Sequence, residues 1–151
     1  PFLARHCDVF YIGGTKIGAL CGEAVVFTHN NAHRHFFSIQ KQHGAVIAKG
    51  RLIGVQFEAL FTDNLYFEIS KHAIDMAMKV RDLFRSRGYR FYLDSPSNQQ
   101  FVVMTKEQAD ALSKNIQFTY FGQTDNGDVI ARFVTSWSTT EEELAELAKY
   151  I

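Results

Sequence analysis

The hydrophobic and polar positions of this 151-residue chain follow different patterns in its earlier and later parts. In the earlier part, the apolar run Val9–Ile12 is typical of a strand buried on both faces, and Ala24–Phe27 predicts a second strand that returns beside it. Pro1–Cys7 is typical of the end of a helix. Phe36–Phe61 has a helical pattern with a break near Gly44. Because almost no face of its second half is polar throughout, we expect that helix to be buried in a core or at a subunit interface.

A long amphipathic helix separates the two parts. Thr62–Asn64 supplies residue types that cap helices, and apolar residues recur on one stripe from Leu65 to Phe84. Gly88 then provides a helix stop beyond Arg87. We place a domain boundary at the capping turn, which gives an earlier domain of residues 1–62 and a later domain of residues 63–151.

Beyond the long helix, short alternating segments predict strands at residues 89–93, 101–104, 118–121 and 129–134. Thr105 with Gln108, and Thr140 with Glu143, fit capping boxes that open two short helices. The order α-β-β-α-β-β-α predicts a small α/β lobe with a mostly antiparallel sheet.

Composition limits the classes of partner. Sixteen basic and sixteen acidic residues leave no net charge, so nothing in the electrostatics favours nucleic acid or an anionic membrane surface. No apolar run approaches the roughly 20 residues that span a bilayer. Cys7 and Cys21 are too few for a disulfide framework and indicate reduced thiols in the cytoplasm. The opening at Pro1, without an initiating methionine or a signal peptide, suggests the later part of a longer chain.

The first strand ends in a glycine turn that carries one charged residue, Lys16. Gly13, Gly14 and Gly18 allow a sharp turn and the close approach of a ligand to the backbone. A lysine held among apolar neighbours has a lowered pKa and becomes an amine able to attack a carbonyl. A solvated turn lysine is the alternative, and it is the commoner outcome for such spacing. A Walker phosphate loop is excluded, since Thr15 precedes the lysine and no glycine stands directly before it.

Three histidines follow the second strand, at positions 29, 33 and 35. They do not share one helical face, and no cysteine or carboxylate stands at ligand spacing beside them, so we predict surface or interface histidines and no metal site. Lys49 and Arg51 stand in an apolar stretch. The pattern leaves open whether they bind an anion or are salt-bridged residues at its rim.

Arg132 lies inside the apolar strand Val129–Val134, on the same face as Ile130 and Val134. A guanidinium on an apolar face needs a planar acid partner, because an unpaired buried charge is costly. That partner is either a protein carboxylate, which makes Arg132 structural, or the carboxylate of a ligand. The pattern alone does not separate the two.

Several motifs together resemble one enzyme family. The run Asp8–Lys16, Gly22–Val26, Lys49-Gly50-Arg51 and Arg132–Trp137 are similar to segments of the threonine aldolase and β-eliminating lyase family, a pyridoxal-phosphate group of the aspartate-aminotransferase fold. The resemblance runs from near Asp8 to the C-terminus but covers only the later portion of that fold. It implies an α/β chain in which the end of the large cofactor domain is followed by a small C-terminal lobe.

The resemblance also implies roles for single residues. Lys16 matches the lysine that binds pyridoxal 5'-phosphate covalently and later moves protons, and Arg132 matches the arginine that grips the substrate α-carboxylate. Thr15 matches a hydroxyl residue able to reach the cofactor phosphate. The family draws basic residues from a neighbouring subunit into the phosphate site, a role open to Lys49 or Arg51, which implies a homo-oligomer such as a dimer or tetramer.

Three functional hypotheses follow. The first is a lyase that cleaves a small, threonine-like β-hydroxy-α-amino acid to glycine and an aldehyde. The second is a β-eliminating amino-acid lyase, since both reactions begin from the same bound amino acid. The third is a non-catalytic assembly or binding module, if these 151 residues act alone.

Overall fold

A computed structural model describes residues 2–151, and Pro1, with which the predicted first helix began, lies outside them. The chain divides into a first unit that ends at Tyr66 and a second unit, Phe67–Ile151. Helix α1 (Phe2–His6) leads into strand β1 (Val9–Gly13), a 3₁₀ turn (Thr15–Ile17), strand β2 (Glu23–Phe27) and helices α2 (Phe36–Gln42) and α3 (Arg51–Phe61).

Strands β1 and β2 form an antiparallel hairpin whose register runs from Val9 opposite Phe27 to Gly13 opposite Glu23. The prediction that β1 is buried on both faces is wrong, because Val9 and Tyr11 are 46% and 70% exposed. Successive side chains of a strand point to opposite faces, and within the first unit no described residue covers the outward face of β1.

Helix α3 begins at Arg51, later than the pattern predicted. Lys49 has a φ of 63° and Gly44 a φ of 67°, and these left-handed residues prevent a continuous helix through positions 44–50. The helix is not buried throughout in a core of this chain, and its burial at a subunit interface stays a prediction. Phe57 and Leu60 are buried, whereas Leu52 is 67% exposed.

A second 3₁₀ turn (Thr62–Asn64) precedes the long helix α4 (Leu65–Ser86). The Thr62 hydroxyl donates to the Glu58 carbonyl at the end of α3, so Thr62 closes the preceding helix and does not cap α4. At the other end of α4, Gly88 has a φ of 80°, its N–H donates to the Arg85 carbonyl, and the Tyr89 N–H donates to the Phe84 carbonyl. This pair of bonds is a Schellman motif, which confirms the predicted glycine stop.

The rest of the second unit consists of β3 (Arg90–Phe91), β4 (Gln99–Met104), α5 (Lys106–Leu112), β5 (Thr119–Gln123), β6 (Val129–Val134) and α6 (Glu141–Leu147). The strands form one sheet in the order β3-β4-β6-β5, antiparallel at every pairing. Strand β3 is shorter than predicted, since the turn around Pro96 takes the chain away from the ladder. Both capping boxes are confirmed.

The core of the second unit lies between one face of this sheet and its helices. Its members come from α4, α5, α6, β4 and β6 and include Val80, Phe84, Val102, Met104, Ala109, Leu112, Ala131, Phe133 and Leu147. The predicted α/β class with an antiparallel small lobe is therefore confirmed. Nowhere in residues 2–151 does a helix have the length and apolar character needed to cross a membrane.

Candidate functional site

The turn that carries Lys16 is held by its own backbone. The N–H groups of Ile17 and Ala19 both donate to the Gly14 carbonyl, at 3.1 and 3.0 Å, and Gly18 reverses the chain with a φ of 95°. Ile17 and Ala19 are buried, whereas Lys16, directly before Ile17, is exposed. The turn therefore anchors its neighbours and leaves the lysine amine outside.

Helix α3 packs closely behind this turn. A Cβ atom at Gly14 would lie 2.7 Å from the Ala19 Cβ and 3.1 Å from the Phe57 ring, so glycine is required there for packing. The Leu20 N–H donates to the Gln56 side chain at 2.6 Å, which ties the end of the turn to the same helix. At Gly13, by contrast, a Cβ would meet none of the described atoms within 4 Å. Of the two, only Gly13 leaves room for a ligand to approach the backbone.

Of the two surroundings that the spacing left open for Lys16, an apolar pocket or solvent, the described chain has the second. Lys16 and Thr15 are both exposed, and among residues 2–151 no carboxylate lies at ion-pair distance from the lysine. The first unit therefore positions the amine without enclosing it.

Arg132 is half-buried in β6, between Phe101 of β4 and Thr119 of β5 as its direct strand partners. Its Nη1 donates to the Gln99 side-chain oxygen at 3.4 Å, and its Nε is buried without any hydrogen-bond partner. In the described part of the chain no carboxylate pairs with this guanidinium. Of the two alternatives that the sequence left open, this geometry favours the carboxylate of a ligand.

Arg132 lines a cleft of about 780 Å³ that belongs wholly to the second unit. Hydroxyl groups of Thr119, Ser136 and Thr139 line it, above apolar side chains from α4 and α6. Glu143 also lines the cleft, but its carboxylate accepts a hydrogen bond from the Thr140 N–H at 2.9 Å in the capping box. The cleft thus has both polar and apolar walls, and Arg132 at its wall has no acid partner among the described residues.

Sequence reasoning did not identify Gln99 or Thr119 as site residues. Both reach Arg132 through strand register, because Thr119 pairs directly with Arg132 and Gln99 pairs with Val134, two residues along β6. The register between two strands is not encoded by either strand alone, so the sequence shows only which residues alternate onto one face of each strand and not which of them meet.

The remaining candidates lie elsewhere. Lys49 and Arg51 line a small surface pocket of about 330 Å³ with Leu52 and Val55 at the start of α3. The three histidines are exposed, and the described residues contain no group of histidine, cysteine and carboxylate side chains able to hold a metal ion. Lys16 lies in the first unit and Arg132 in the second.

Comparisons with known proteins identify the relatives of the chain. No protein-family model matches it. It is 29% identical over 142 residues to the low specificity L-threonine aldolase of Pseudomonas sp. (strain NCIMB 10558), covering 93% of this chain and 40% of the relative. It is 28% identical over 147 residues to the low specificity L-threonine aldolase of Pseudomonas aeruginosa, covering 95% of this chain and 41% of the relative.

Solved structures agree. The Leishmania major threonine aldolase superimposes with a TM-score of 0.89 at 35% identity, over 97% of this chain and 43% of that protein. The Sphingomonas wittichii serine palmitoyltransferase, with a TM-score of 0.60 and 14% identity, shares the fold over 99% of this chain and 40% of its own. The chain spans about two fifths of the curated relatives it matches. By sequence and structure it is a homologue of threonine aldolases and corresponds to the C-terminal portion of their fold.

Proposed function

We propose that this chain supplies the cofactor lysine and the carboxylate clamp of a pyridoxal-phosphate lyase. The enzyme cleaves a small, threonine-like β-hydroxy-α-amino acid to glycine and an aldehyde. One observation carries the proposal: Arg132 lines a cleft, keeps a buried Nε without a partner, and has no carboxylate at ion-pair distance within residues 2–151.

A free guanidinium in that position suits an amino-acid substrate. A buried donor without a hydrogen-bond partner costs about 1–3 kcal/mol of free energy, so a ligand that supplies an acceptor there is bound more favourably. The fork of an arginine matches a carboxylate, and charge-assisted hydrogen bonds of this kind are strong and directional. Arg132 would therefore bind the α-carboxylate and fix the orientation of the whole amino acid.

The lysine turn fits pyridoxal phosphate. Lys16 presents an exposed amine with no ion-pair partner among the described residues, Gly13 leaves open space beside it, and Thr15 places a hydroxyl next in sequence for the phosphate. When bound, the cofactor supplies an electron sink for the carbanion formed as the Cα–Cβ bond breaks. Lys16 would hold the cofactor covalently and afterwards carry a proton at its Nζ.

The proposal extends to a cytoplasmic homo-oligomer. In that assembly Lys49 or Arg51 would reach the phosphate site of a neighbouring subunit. Both cations lie at the surface at the start of α3, and neither forms an ion pair within the described chain. A surface cation without an internal partner is free to meet an anion from another subunit.

Borohydride reduction of the full-length protein with pyridoxal phosphate, followed by peptide mass mapping, tests the lysine. We expect one pyridoxyl adduct, on Lys16, and its loss in Lys16→Ala. Lys114→Ala, at an exposed lysine of the second unit without a proposed role, serves as the control and should keep the adduct. An adduct on another lysine, or none, would show that the proposal is wrong.

Arg132→Lys tests the clamp. Because an ammonium cannot reproduce the planar fork, we expect KM for threonine to rise by about tenfold or more while affinity for pyridoxal phosphate changes little. Equal losses of both would return Arg132 to a structural role. Product analysis then identifies the reaction, since aldol cleavage yields glycine and an aldehyde, whereas β-elimination yields a 2-oxo acid and ammonia.

A further inference from the structure

We infer that Gln99 is a positioning residue for Arg132: it orients the guanidinium through a neutral acceptor and so leaves the positive charge for a ligand carboxylate. The inference rests on the proposed role of Arg132. Gln99 and Arg132 lie on the same face of neighbouring strands, since Gln99 pairs with Val134 and Phe101 with Arg132. The Gln99 side-chain oxygen is the hydrogen-bond partner that the described residues give to Arg132, at 3.4 Å from Nη1.

The backbone that carries Gln99 is firmly held. Its N–H donates to the Ser97 hydroxyl at 3.2 Å, and that hydroxyl lies 2.9 Å from the Ser95 hydroxyl. The fully buried Gln100 side chain donates to the carbonyls of Ser95 and Ser97. These hydrogen bonds between side chains and backbone fix the turn before β4. They therefore fix the backbone position from which the Gln99 side chain extends.

A second support of this turn reaches the end of β6. The Asn98 side chain donates to the Thr135 carbonyl at 2.8 Å, and the Thr135 hydroxyl donates to the Ala73 carbonyl of α4 at 2.6 Å. Gln99 and Arg132 thus lie on two strands that are locked together just beyond the site. Such support is what holds a binding group within the narrow geometry that recognition requires.

The neutrality of Gln99 matters as much as its position. A carboxylate in the same place would form an ion pair with Arg132 and compete with the incoming carboxylate. The acid that does line the cleft, Glu143, accepts from the Thr140 N–H and lies outside ion-pair distance of Arg132. The Gln99 amide therefore orients the guanidinium of Arg132, and no carboxylate of the described chain neutralises its charge.

Gln99→Glu in the full-length holoenzyme provides the test. We expect KM for threonine to rise by about tenfold or more, with kcat within about twofold, because the new carboxylate occupies the guanidinium before the substrate arrives. Gln99→Ala should raise KM by a smaller factor, about threefold, since it removes the orienting acceptor and adds no charge.

Gln117→Glu is the matched control. Gln117 lines the same cleft, so the substitution adds the same charge to it. Unlike Gln99, Gln117 is not the hydrogen-bond partner of Arg132. We expect KM to change by less than about threefold there. If KM for threonine rose equally in both glutamate variants, added negative charge anywhere in the cleft would explain the effect, and the inference would be overturned.

A substrate without a carboxylate distinguishes a change in carboxylate binding from a loss of structure. Threoninamide lacks the carboxylate, so its KM should be the same in Gln99→Glu as in the unmodified protein. A parallel rise for threonine and threoninamide would mean that the site is distorted, against the inference. If Arg132→Lys leaves KM for threonine unchanged, the proposed function itself fails. If Arg132→Lys raises KM and Gln99→Glu does not, only the role of Gln99 fails.

Discussion

The two units of the chain bury their apolar residues to very different extents. In the second unit, Phe84, Val102 and Ala131 have no measurable exposure and belong to one continuous core. In the first unit, Leu20 is 90% and Tyr11 70% exposed. The buried apolar residues of the first unit are confined, in the described structure, to Ile17, Ala19, Phe57 and Leu60.

The difference shows that the position of a functional group and the environment around it can be determined by different parts of a protein. The second unit sets Arg132 on a finished sheet and builds a cleft around it, so both are already present in this chain. The first unit fixes the backbone on either side of Lys16 through glycine packing, but leaves the amine exposed. A strained or tightly packed turn can therefore specify where a lysine lies without specifying what surrounds it.

Removal of a core ring should show the contrast most strongly. Phe84 packs edge-on against Tyr89 and lies 4.8 Å, centroid to centroid, from Phe133. We expect Phe84→Ala to lower the free energy of unfolding of the second unit by about 3–5 kcal/mol. Urea unfolding followed by the fluorescence of Trp137, the single tryptophan, reports on that unit.

Phe37→Ala is the matched control in the first unit, because that ring is 65% exposed. Its effect on the free energy of unfolding of the first unit, followed by circular dichroism because Trp137 lies in the second unit, should stay within about 0.5 kcal/mol. A loss as large as that of Phe84→Ala would mean that the first unit has a core of its own, and the comparison would not hold.

The glycine turn predicts the next largest effect. Gly14 has a φ of −106° and a ψ of −29°, which alanine can adopt, so Gly14→Ala tests packing alone. The new methyl group would overlap with Ala19 and Phe57, at an expected cost of about 1–3 kcal/mol. Faster hydrogen exchange at the Ile17 and Ala19 amides, which bond to the Gly14 carbonyl, would report the loosened turn.

Gly13→Ala is its control, since nothing described lies within 4 Å of the added methyl group. The amides of Ile17 and Ala19 should exchange as in the unmodified chain. If both variants loosen the turn equally, close packing at Gly14 is not what holds it.

Local rules explain what the sequence could predict. The bounds of β6, Val129–Val134, match the structure because an apolar run between turn residues defines a central strand. The boxes at Thr105 and Thr140 match because a capping box needs only residues three apart. Gly88 matches because a left-handed helix stop favours glycine.

What could not be predicted depends on distant neighbours. Tyr11 is exposed because no described residue of the first unit covers that face of β1, and the apolar run of β1 does not indicate which faces are covered. The late start of α3 follows from a left-handed Lys49, a conformation that lysine rarely adopts. Gln99 joined the site through strand register. The residue that carries a charge was visible in the sequence, whereas the residue that orients it was not.

Alanine substitutions at the N-caps of α6 and α3 should change stability by a smaller amount, and in opposite directions. Thr140 caps α6 by accepting from the Glu143 N–H, whereas the N-cap residue of α3, Gly50, provides no side-chain cap. We expect Thr140→Ala to destabilise the second unit by about 1 kcal/mol. Gly50→Ala should stabilise the first by about 0.4–1 kcal/mol, since its φ of −52° suits alanine and the nearest atom to the new methyl is 3.7 Å away. Thermal unfolding monitored by circular dichroism measures both, and shifts of the same sign would contradict the difference between the caps.

Acid should have the smallest effect, and we expect it at the capped helix α6 of the second unit. The Glu142 carboxylate accepts a hydrogen bond from its own backbone N–H and another from Thr140, which lowers its pKa below the usual 4.5. Because the folded pKa is the lower one, this stabilisation is present above about pH 4.5 and is lost as pH falls through the folded value. Helices α2 and α3 have no acidic residue in their first turns, so the first unit lacks the effect there. Carboxyl ¹³C titration should find Glu142 below 4.5 and closer to it in Thr140→Ala. A Glu142 that titrates at or above 4.5 in the unmodified chain would remove this last distinction between the units.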